Sequence, residues 1–235
     1  MAITYVGVGS PSVISDSYDL PVNVAVPSNI QLNDLMILII KSYSGYTPSV
    51  TGWTTLSGFP ASINADPALN ILYKFATAGQ GSIFIDISPT TYMAVYQCVV
   101  FRGVDLLSPI NVNGGPYDQL APFITTMTFE AVTTTENRCM VLNILANARG
   151  VDSTVQYSNW ANANLVSVTE AIDYSSAVNN GGGIGMAYGI KSLAGNTGST
   201  TATRASEIGA VLGATIALTP IASSNGSFFT VLNLI

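Results

Sequence analysis

The sequence predicts an all-β protein, as a jelly-roll-like antiparallel β-sandwich, and three observations favour this fold class. Charged residues make up only 9% of the 235 residues, which is too few to give amphipathic helices a charged outer face. Short runs rich in Val, Ile, Tyr and Thr alternate with Gly, Pro, Asn and Ser, a pattern typical of strands joined by turns. Two stretches of the chain also resemble each other, which indicates two pseudo-repeated halves.

Thirteen strands are expected from the apolar runs. Three runs are apolar on both faces, namely 35–40, 95–101 and 209–218, and such runs predict central strands covered on both sides. Residues 208–218 are also compatible with a helix, but two glycines and several β-branched residues favour a strand. The expected strands are 2–8, 21–26, 35–42, 69–76, 82–87, 93–101, 123–129, 138–147, 164–172, 184–191, 198–204, 208–218 and 228–233.

The internal repeat relates the two Asn-to-Trp segments, 33–53 and 137–160. Further on, the run 71–79 aligns with 187–195, and Val95 then aligns with Val211 at the same offset. Chance similarity between β-rich stretches is the alternative. We expect pseudo-repeats over about 30–117 and 130–220, within one domain spanning 1–222. Residues 223–235 are expected to form a C-terminal strand or arm.

Composition excludes several kinds of chemistry. The sequence has no histidine, which removes His-dependent catalytic triads and most zinc sites. Cys98 and Cys139 lie in apolar runs and are expected to be buried thiols. A calcium site through Asp16, Asp19 or Asp152 stays open, although no calcium-loop motif is present. We therefore expect no cofactor, no metal centre and no catalysed reaction.

Charge and hydropathy bear on the partners. A net charge of −6 argues against nucleic acid, because phosphate binding needs clustered Lys and Arg. Residues 208–235 are uncharged, but Pro220 and the polar stretch 223–227 interrupt them, so no membrane partner is expected. The low charge and the positive mean hydropathy would leave a monomer with a large uncharged surface, which indicates self-association.

Five short motifs follow one another in the first half of the chain, namely Asp34–Ile40, Gly52–Leu56, Leu72–Ala76, Phe101–Asp105 and Ser108–Ile110. This ordered series resembles a module of bacteriophage virion structural proteins of the β-sandwich type. The resemblance covers about 30–112 and implies fold and virion context, without assigning any catalytic or ligand residue. The expected function is that of a capsid decoration (cement) protein or a similar appendage subunit. Its partners would be further copies of itself, with a trimer favoured, and other virion proteins such as the major capsid protein.

Two alternative functions stay open. A tail-tip protein that binds a receptor or glycan would use loop tyrosines, for which the candidates are Tyr43, Tyr46 and Tyr157. A polysaccharide-degrading enzyme would need a carboxylate pair, with Asp66, Asp86, Glu170 and Asp173 as candidates. Trp53 and Trp160 are expected to fill related positions in the sandwich core.

The C-terminal run 227–235 is strand-like, uncharged and apolar. Such a strand would promote aggregation on a monomer surface, so it is expected either to close its own sandwich or to add to the sheet edge of a neighbouring subunit. The Ser/Asn/Gly hinge at 223–227 favours the neighbour. The residues of this inter-subunit arm are Phe228, Phe229, Val231, Leu232 and Leu234.

Overall fold

The computed structural model describes residues 2–14, 21–43, 50–63, 66–85, 94–119, 125–148, 156–178, 181–204 and 209–222. The regular elements in these ranges are antiparallel strands, so the predicted all-β class is confirmed. Within the same ranges no helix is long and apolar enough to cross a membrane.

The first half of the chain builds one main sheet and one small covering sheet. In the main sheet the order is β1-β9-β4-β7-β5, with β2 paired to β9 and β6 to β7, and β3 pairs with β8 in the small sheet. The strands are β1 (Thr4–Val8), β2 (Ser12–Ile14), β3 (Val22–Val24), β4 (Leu35–Ser42), β5 (Thr54–Thr55), β6 (Ala61–Ser62), β7 (Ala68–Phe75), β8 (Ile83–Ile85) and β9 (Ala94–Arg102).

The second half builds the other main sheet, in the order β10-β19-β13-β16-β15. A three-stranded sheet, β11-β18-β14, and a two-stranded one, β12-β17, accompany it. The strands are β10 (Ile110–Gln119), β11 (Thr126–Phe129), β12 (Thr133–Thr134), β13 (Cys139–Asn147), β14 (Tyr157–Ala161), β15 (Val166–Ser176), β16 (Gly182–Lys191), β17 (Gly195–Asn196), β18 (Thr200–Arg204) and β19 (Val211–Leu218).

The two main sheets place their long strands in the same relative order. In each, the last long strand of the half (β9 or β19) lies beside the first long central strand (β4 or β13), and β7 or β16 follows on its other side. Each main sheet is drawn from one half of the chain. A jelly roll instead winds its Greek keys through both sheets, so the jelly-roll-like part of the prediction is not confirmed.

The register of the aligned repeat does not fit the faces of the strands. Aligning Ile71 with Ala187 pairs an inward-facing residue with one that faces away, because Met186 and Tyr188, not Ala187, contact the inter-sheet core. A shift of one residue matches Ile71 with Met186 and Tyr73 with Tyr188. Since side chains alternate along a strand, a one-residue error exchanges the two faces completely.

The largest core lies between the two main sheets. Leu35, Ile37 and Ile39 of β4 face Met140, Leu142 and other residues of the second sheet in one continuous cluster. The other face of β4 is also buried, in a second cluster beneath β3 and β8. The runs predicted to be apolar on both faces are therefore central strands covered on both sides, as in β4, β9 and β19.

The second main sheet is covered on its outer face by aromatic side chains of the small sheet β11-β18-β14. Met127, Phe129 and Tyr157 pack on Leu145 and Val211 there. Glycines make this close approach possible: a Cβ on Gly185 would lie 2.8 Å from Cδ2 of Tyr157, and one on Gly213 would lie 3.3 Å from the Phe129 ring. Each main sheet therefore carries a smaller sheet on its outer face.

Candidate functional site

A buried lysine forms an ion pair within the first main sheet and a hydrogen bond to the second, at one end of the sandwich. Lys41 continues the inward-facing series of β4, and its ammonium nitrogen lies 3.0 Å from Oδ1 of Asp66. The exposed fractions of the two side chains are 1% and 11%. The same ammonium donates a hydrogen bond of 3.0 Å to the carbonyl of Gly181, at the start of the second-sheet strand β16.

Glycine is required opposite this lysine. A Cβ on Gly182 would clash with Cε of Lys41 and would lie 2.8 Å from the carbonyl oxygen of Asn147. The φ of Gly182 is 132°, which other residues rarely adopt. Gly182 begins β16, and the absence of a side chain there admits the charged side chain of Lys41 from the facing sheet.

The electrostatics of the ion pair favour a structural role. Burial lowers the pKa of the Lys41 ammonium, and the adjacent Asp66 carboxylate opposes that shift. Asp66 is thus engaged as the counter-ion of Lys41. Asp86, another candidate carboxylate, lies outside the described residues.

The remaining two candidate carboxylates lie on the outer face of β15. Asp173 is half-buried, and its carboxylate accepts backbone N–H bonds from Gln156, at 2.9 Å, and from Tyr157, at 3.3 Å. Burial raises the pKa of Asp173, and these N–H donors oppose the shift. Glu170 is more exposed, but partial desolvation also raises the pKa of its carboxyl group. A hydrogen bond with the Trp160 indole opposes this shift. Asp173 thus anchors β14 to β15.

The three candidate glycan-binding tyrosines have different positions. Tyr157 is fully buried, so the expectation that it is exposed for sugar contact is wrong. Its ring lies in the outer cluster of the second sheet, where Gly185 leaves room for it and Trp160 lies 6.3 Å away. Tyr43 is half-buried beyond the end of β4. Tyr46 lies outside the described residues.

Trp53 and Trp160 are half-buried, and both pack against outer-face clusters instead of the core between the main sheets. Trp160 stacks on Phe129 with ring centroids 5.4 Å apart. Neither tryptophan therefore fills the core between the main sheets, and each packs against the outer-face cluster of its own half.

A second charged contact, at the opposite end of the sandwich, was not anticipated from the sequence. Arg102 forms a two-point contact with the buried Asp34, with Nε to Oδ1 and a terminal nitrogen to Oδ2, both at 2.8 Å. Asp34 also accepts the N–H of Gln31. The sequence contains one indication of this contact, because Asp34 directly precedes β4 and Arg102 ends the neighbouring strand β9.

The same end carries an exposed apolar surface. Large hydrophobic residues here are exposed where strands begin or end, including Leu107 at 94% and Leu193 at 70%. We call this surface the apolar end face and define it by Leu32, Leu106, Leu107, Val166, Leu193 and Ile221. Of the described residues, only Phe84 and Val178 are large exposed hydrophobics elsewhere.

Two open grooves lie in the apolar end face. The larger, of about 680 Å³, is lined by residues from 105–108, 136–138 and 219–222. The smaller, of about 580 Å³, is lined by Ala2, Ile3, residues 137–138 and residues 190–193. Arg138 lines both grooves, is exposed, and has a left-handed backbone with a φ of 62°. Its N–H bonds to the carbonyl of Ser192, which fixes this turn between the grooves.

Other candidate residues cannot be placed. The arm residues Phe228, Phe229, Val231, Leu232 and Leu234, and the loop acids Asp16, Asp19 and Asp152, lie outside the described ranges. In the part of the chain that the structure describes, no cluster of three or more Cys, Asp or Glu side chains could hold a metal ion.

Comparisons with protein-family models, with curated proteins and with solved structures give no match for this chain.

Proposed function

We propose that this chain is a structural subunit of a bacteriophage virion, a capsid decoration (cement) protein or a similar appendage subunit. It acts by binding to further copies of itself, in a trimer, and to other virion proteins such as the major capsid protein, and it catalyses no reaction. The apolar end face is the observation that carries this proposal. Permanent interfaces are more apolar than ordinary protein surface, and this surface exposes six large hydrophobic side chains at one end.

The contacts of the candidate carboxylates support a binding role over a catalytic one. Asp66 is engaged with Lys41, and Asp173 with backbone N–H groups. These carboxylates therefore already have structural partners. The resemblance of residues 30–112 to a phage virion module adds the context, and the all-β architecture agrees with it.

The copy number of the chain in purified phage particles tests this proposal. Quantitative mass spectrometry of particles from the phage that encodes the chain is expected to find it as a stoichiometric component. Hundreds of copies per particle would indicate a capsid lattice, and a few would indicate the tail. Absence from washed, infectious particles would overturn the proposal.

A tail-tip receptor- or glycan-binding role is the second candidate. One observation favours it. At the end of the sandwich that holds Lys41, strands β4 and β13 finish and strands β7, β9, β16 and β19 begin. The connections of both sheets therefore meet at that end, as binding loops do in other sandwiches, and Tyr43 lies there. Glycan-array binding that is lost in Tyr43→Ala while the fold is retained would favour this role.

A further inference from the structure

The turns that precede β4 and β13 share a backbone conformation but carry different side chains. Asn33 and Arg138 both have a left-handed backbone, with φ values of 68° and 62°. In each turn, the N–H of this residue bonds to the carbonyl of the first residue after the neighbouring strand. That carbonyl belongs to Ala76 after β7 and to Ser192 after β16, at 3.0 and 3.1 Å. The central strands of both main sheets therefore begin from turns of the same kind.

Arginine is the unusual residue at such a position. Asparagine is enriched several-fold in the left-handed region, whereas residues with long side chains rarely adopt it. In the described parts of the chain, the other non-glycine residues with positive φ are Asn33, Asn159 and Ser167, which are short and polar. Strained backbone positions cluster at functional sites, where a ligand contact offsets their cost. The Arg138 side chain is therefore a candidate for such a contact.

No contact within the chain accounts for the guanidinium of Arg138. Among the residues that the structure describes, it forms no hydrogen bond, and neither of the two ion pairs includes it. The side chain is exposed and borders both grooves of the apolar end face. The turn thus presents an uncompensated positive charge to the grooves.

Of the two grooves, the smaller is the better site for an anion. The larger groove is lined by the acidic residues Asp105 and Glu136, which repel a further negative charge. Among the described residues that line the smaller groove, Arg138 alone is charged. The volume of the smaller groove, about 580 Å³, lies within the usual range for small-molecule sites.

The wall of the smaller groove favours a hydrocarbon chain over a peptide. Polar groups of this wall are already engaged: the Ser192 carbonyl accepts the N–H of Arg138, at 3.1 Å. The Asn137 amide oxygen accepts the N–H of Ala194, at 2.8 Å. A peptide would bring backbone N–H and C=O groups that need partners, whereas an alkyl chain brings none. The apolar part of the wall consists of Ala2, Ile3, Ile190 and Leu193.

We propose that the smaller groove binds an alkyl carboxylate of the fatty-acid type, with its chain on the apolar wall and its carboxylate paired with the Arg138 guanidinium. A guanidinium holds a carboxylate through two parallel hydrogen bonds. This inference goes beyond the proposed function and does not rest on it. Of the six residues that define the apolar end face, only Leu193 lines the smaller groove, so the rest of that face stays available for subunit contacts.

Titration calorimetry with decanoate, below its micelle concentration, tests the proposal. Decanoate is expected to bind at one site per chain. Between hexanoate and decanoate, the affinity should rise about two- to fourfold for each added methylene, because each one leaves water for the apolar wall. Decyltrimethylammonium has the same chain and the opposite charge, and it is expected to bind much more weakly.

Arg138→Asn separates the role in binding from a role in the turn. Because asparagine favours the left-handed backbone, the melting temperature is expected to stay equal or to rise. The affinity for decanoate should fall about tenfold, the size of a hydrogen-bonded contact between charged groups. Arg138→Gln should weaken binding to the same extent. Lys74→Gln is the matched control, since this lysine lies near the end of β7 and does not line the groove.

Leu193→Ser and Leu107→Ser distinguish the grooves, because Leu193 lines the smaller and Leu107 the larger. Only Leu193→Ser is expected to weaken the binding of decanoate, by several-fold. Four results would each overturn the inference: no binding of decanoate, equal binding of the ammonium, loss of binding in Leu107→Ser instead, or unchanged affinity in Arg138→Asn.

Discussion

Lys41 and Asp66 form an ion pair of 3.0 Å in the interior of the sandwich, and the lysine also reaches the backbone of the opposite sheet at Gly181. Lys41 lies in β4 and Asp66 lies just before β7, so both belong to the first main sheet. The hydrogen bond to Gly181 connects them to the second main sheet. A charge at this depth is tolerated because its partners satisfy it, and removing one partner leaves the other unpaired.

Asp66→Asn is expected to lower the free energy of unfolding by about 3–5 kcal/mol, because it leaves the Lys41 ammonium buried without its counter-charge. The double variant Lys41→Met and Asp66→Asn should recover most of that loss, since an apolar side chain of similar length replaces the charge. Urea unfolding of both variants and the parent measures this. Equal destabilisation in the single and double variants would contradict it.

The same pair predicts how stability depends on pH. Burial lowers the pKa of Lys41 below its ordinary value of 10.5, so in the alkaline range below 10.5 the unfolded chain binds more protons than the folded one. The Lys41 contribution to stability therefore rises with pH through that window. Lys41→Met should remove this rise, which urea midpoints between neutral pH and pH about 10 would measure. An identical pH profile in the variant would contradict the prediction.

Gly185→Ala is expected to destabilise the fold by about 1–3 kcal/mol, the usual cost of overpacking a filled core. The added Cβ would lie 2.8 Å from Cδ2 of the buried Tyr157. Gly81→Ala is the matched control, because nothing lies within 4 Å of its Cβ position. Thermal unfolding of the two variants should separate them, and equal melting temperatures would contradict the packing of β14 on β16.

Trp160→Ala is expected to cost about 3 kcal/mol, the lower end of the range for a large aromatic residue, because the side chain is half-buried. Trp160→Phe should retain much of this stability by keeping a ring against Phe129. The corresponding change in the first half, Trp53→Ala, should also destabilise. If Trp53→Ala left the melting temperature unchanged and abolished glycan binding, the tail-tip role would become the better proposal.

Both cysteines are expected to resist thiol reagents in the native protein. They are free and buried, and burial raises the pKa of both thiols, that of Cys139 to about 11. At pH 8 the reactive thiolate is therefore scarce. Reaction with a chromogenic disulfide should be slow until denaturant is added, after which two thiols per chain should react. Rapid native labelling would contradict their burial.

The sequence predicted the central strands well because their residues are apolar on both faces, as in β4 and β9. Residues 208–218, where a helix was the alternative, form strand β19 from Val211. Strand β10 was not predicted. Its residues Gly114, Gly115 and Pro116 are turn formers, and only the bulged pairing with β19 makes this stretch a strand.

The candidate site was harder to predict for a physical reason. Tyr157 lies in a polar stretch that is typical of an exposed loop, and its burial depends on a glycine of β16, which is distant in the sequence. The ion pair of Lys41 depends in the same way on Gly181 and Gly182. Polar residues whose partners lie on another sheet carry no local signal of that contact.

The division of the chain between the sheets has a topological consequence. Strands β1 to β9 belong to the first half of the sandwich and β10 to β19 to the second, so among the assigned strands the polypeptide passes from one half to the other once, between Arg102 and Ile110. Leu107 in that connection is 94% exposed. A chain cut there would consist of two fragments, each with its own main and covering sheets, joined only through noncovalent contacts.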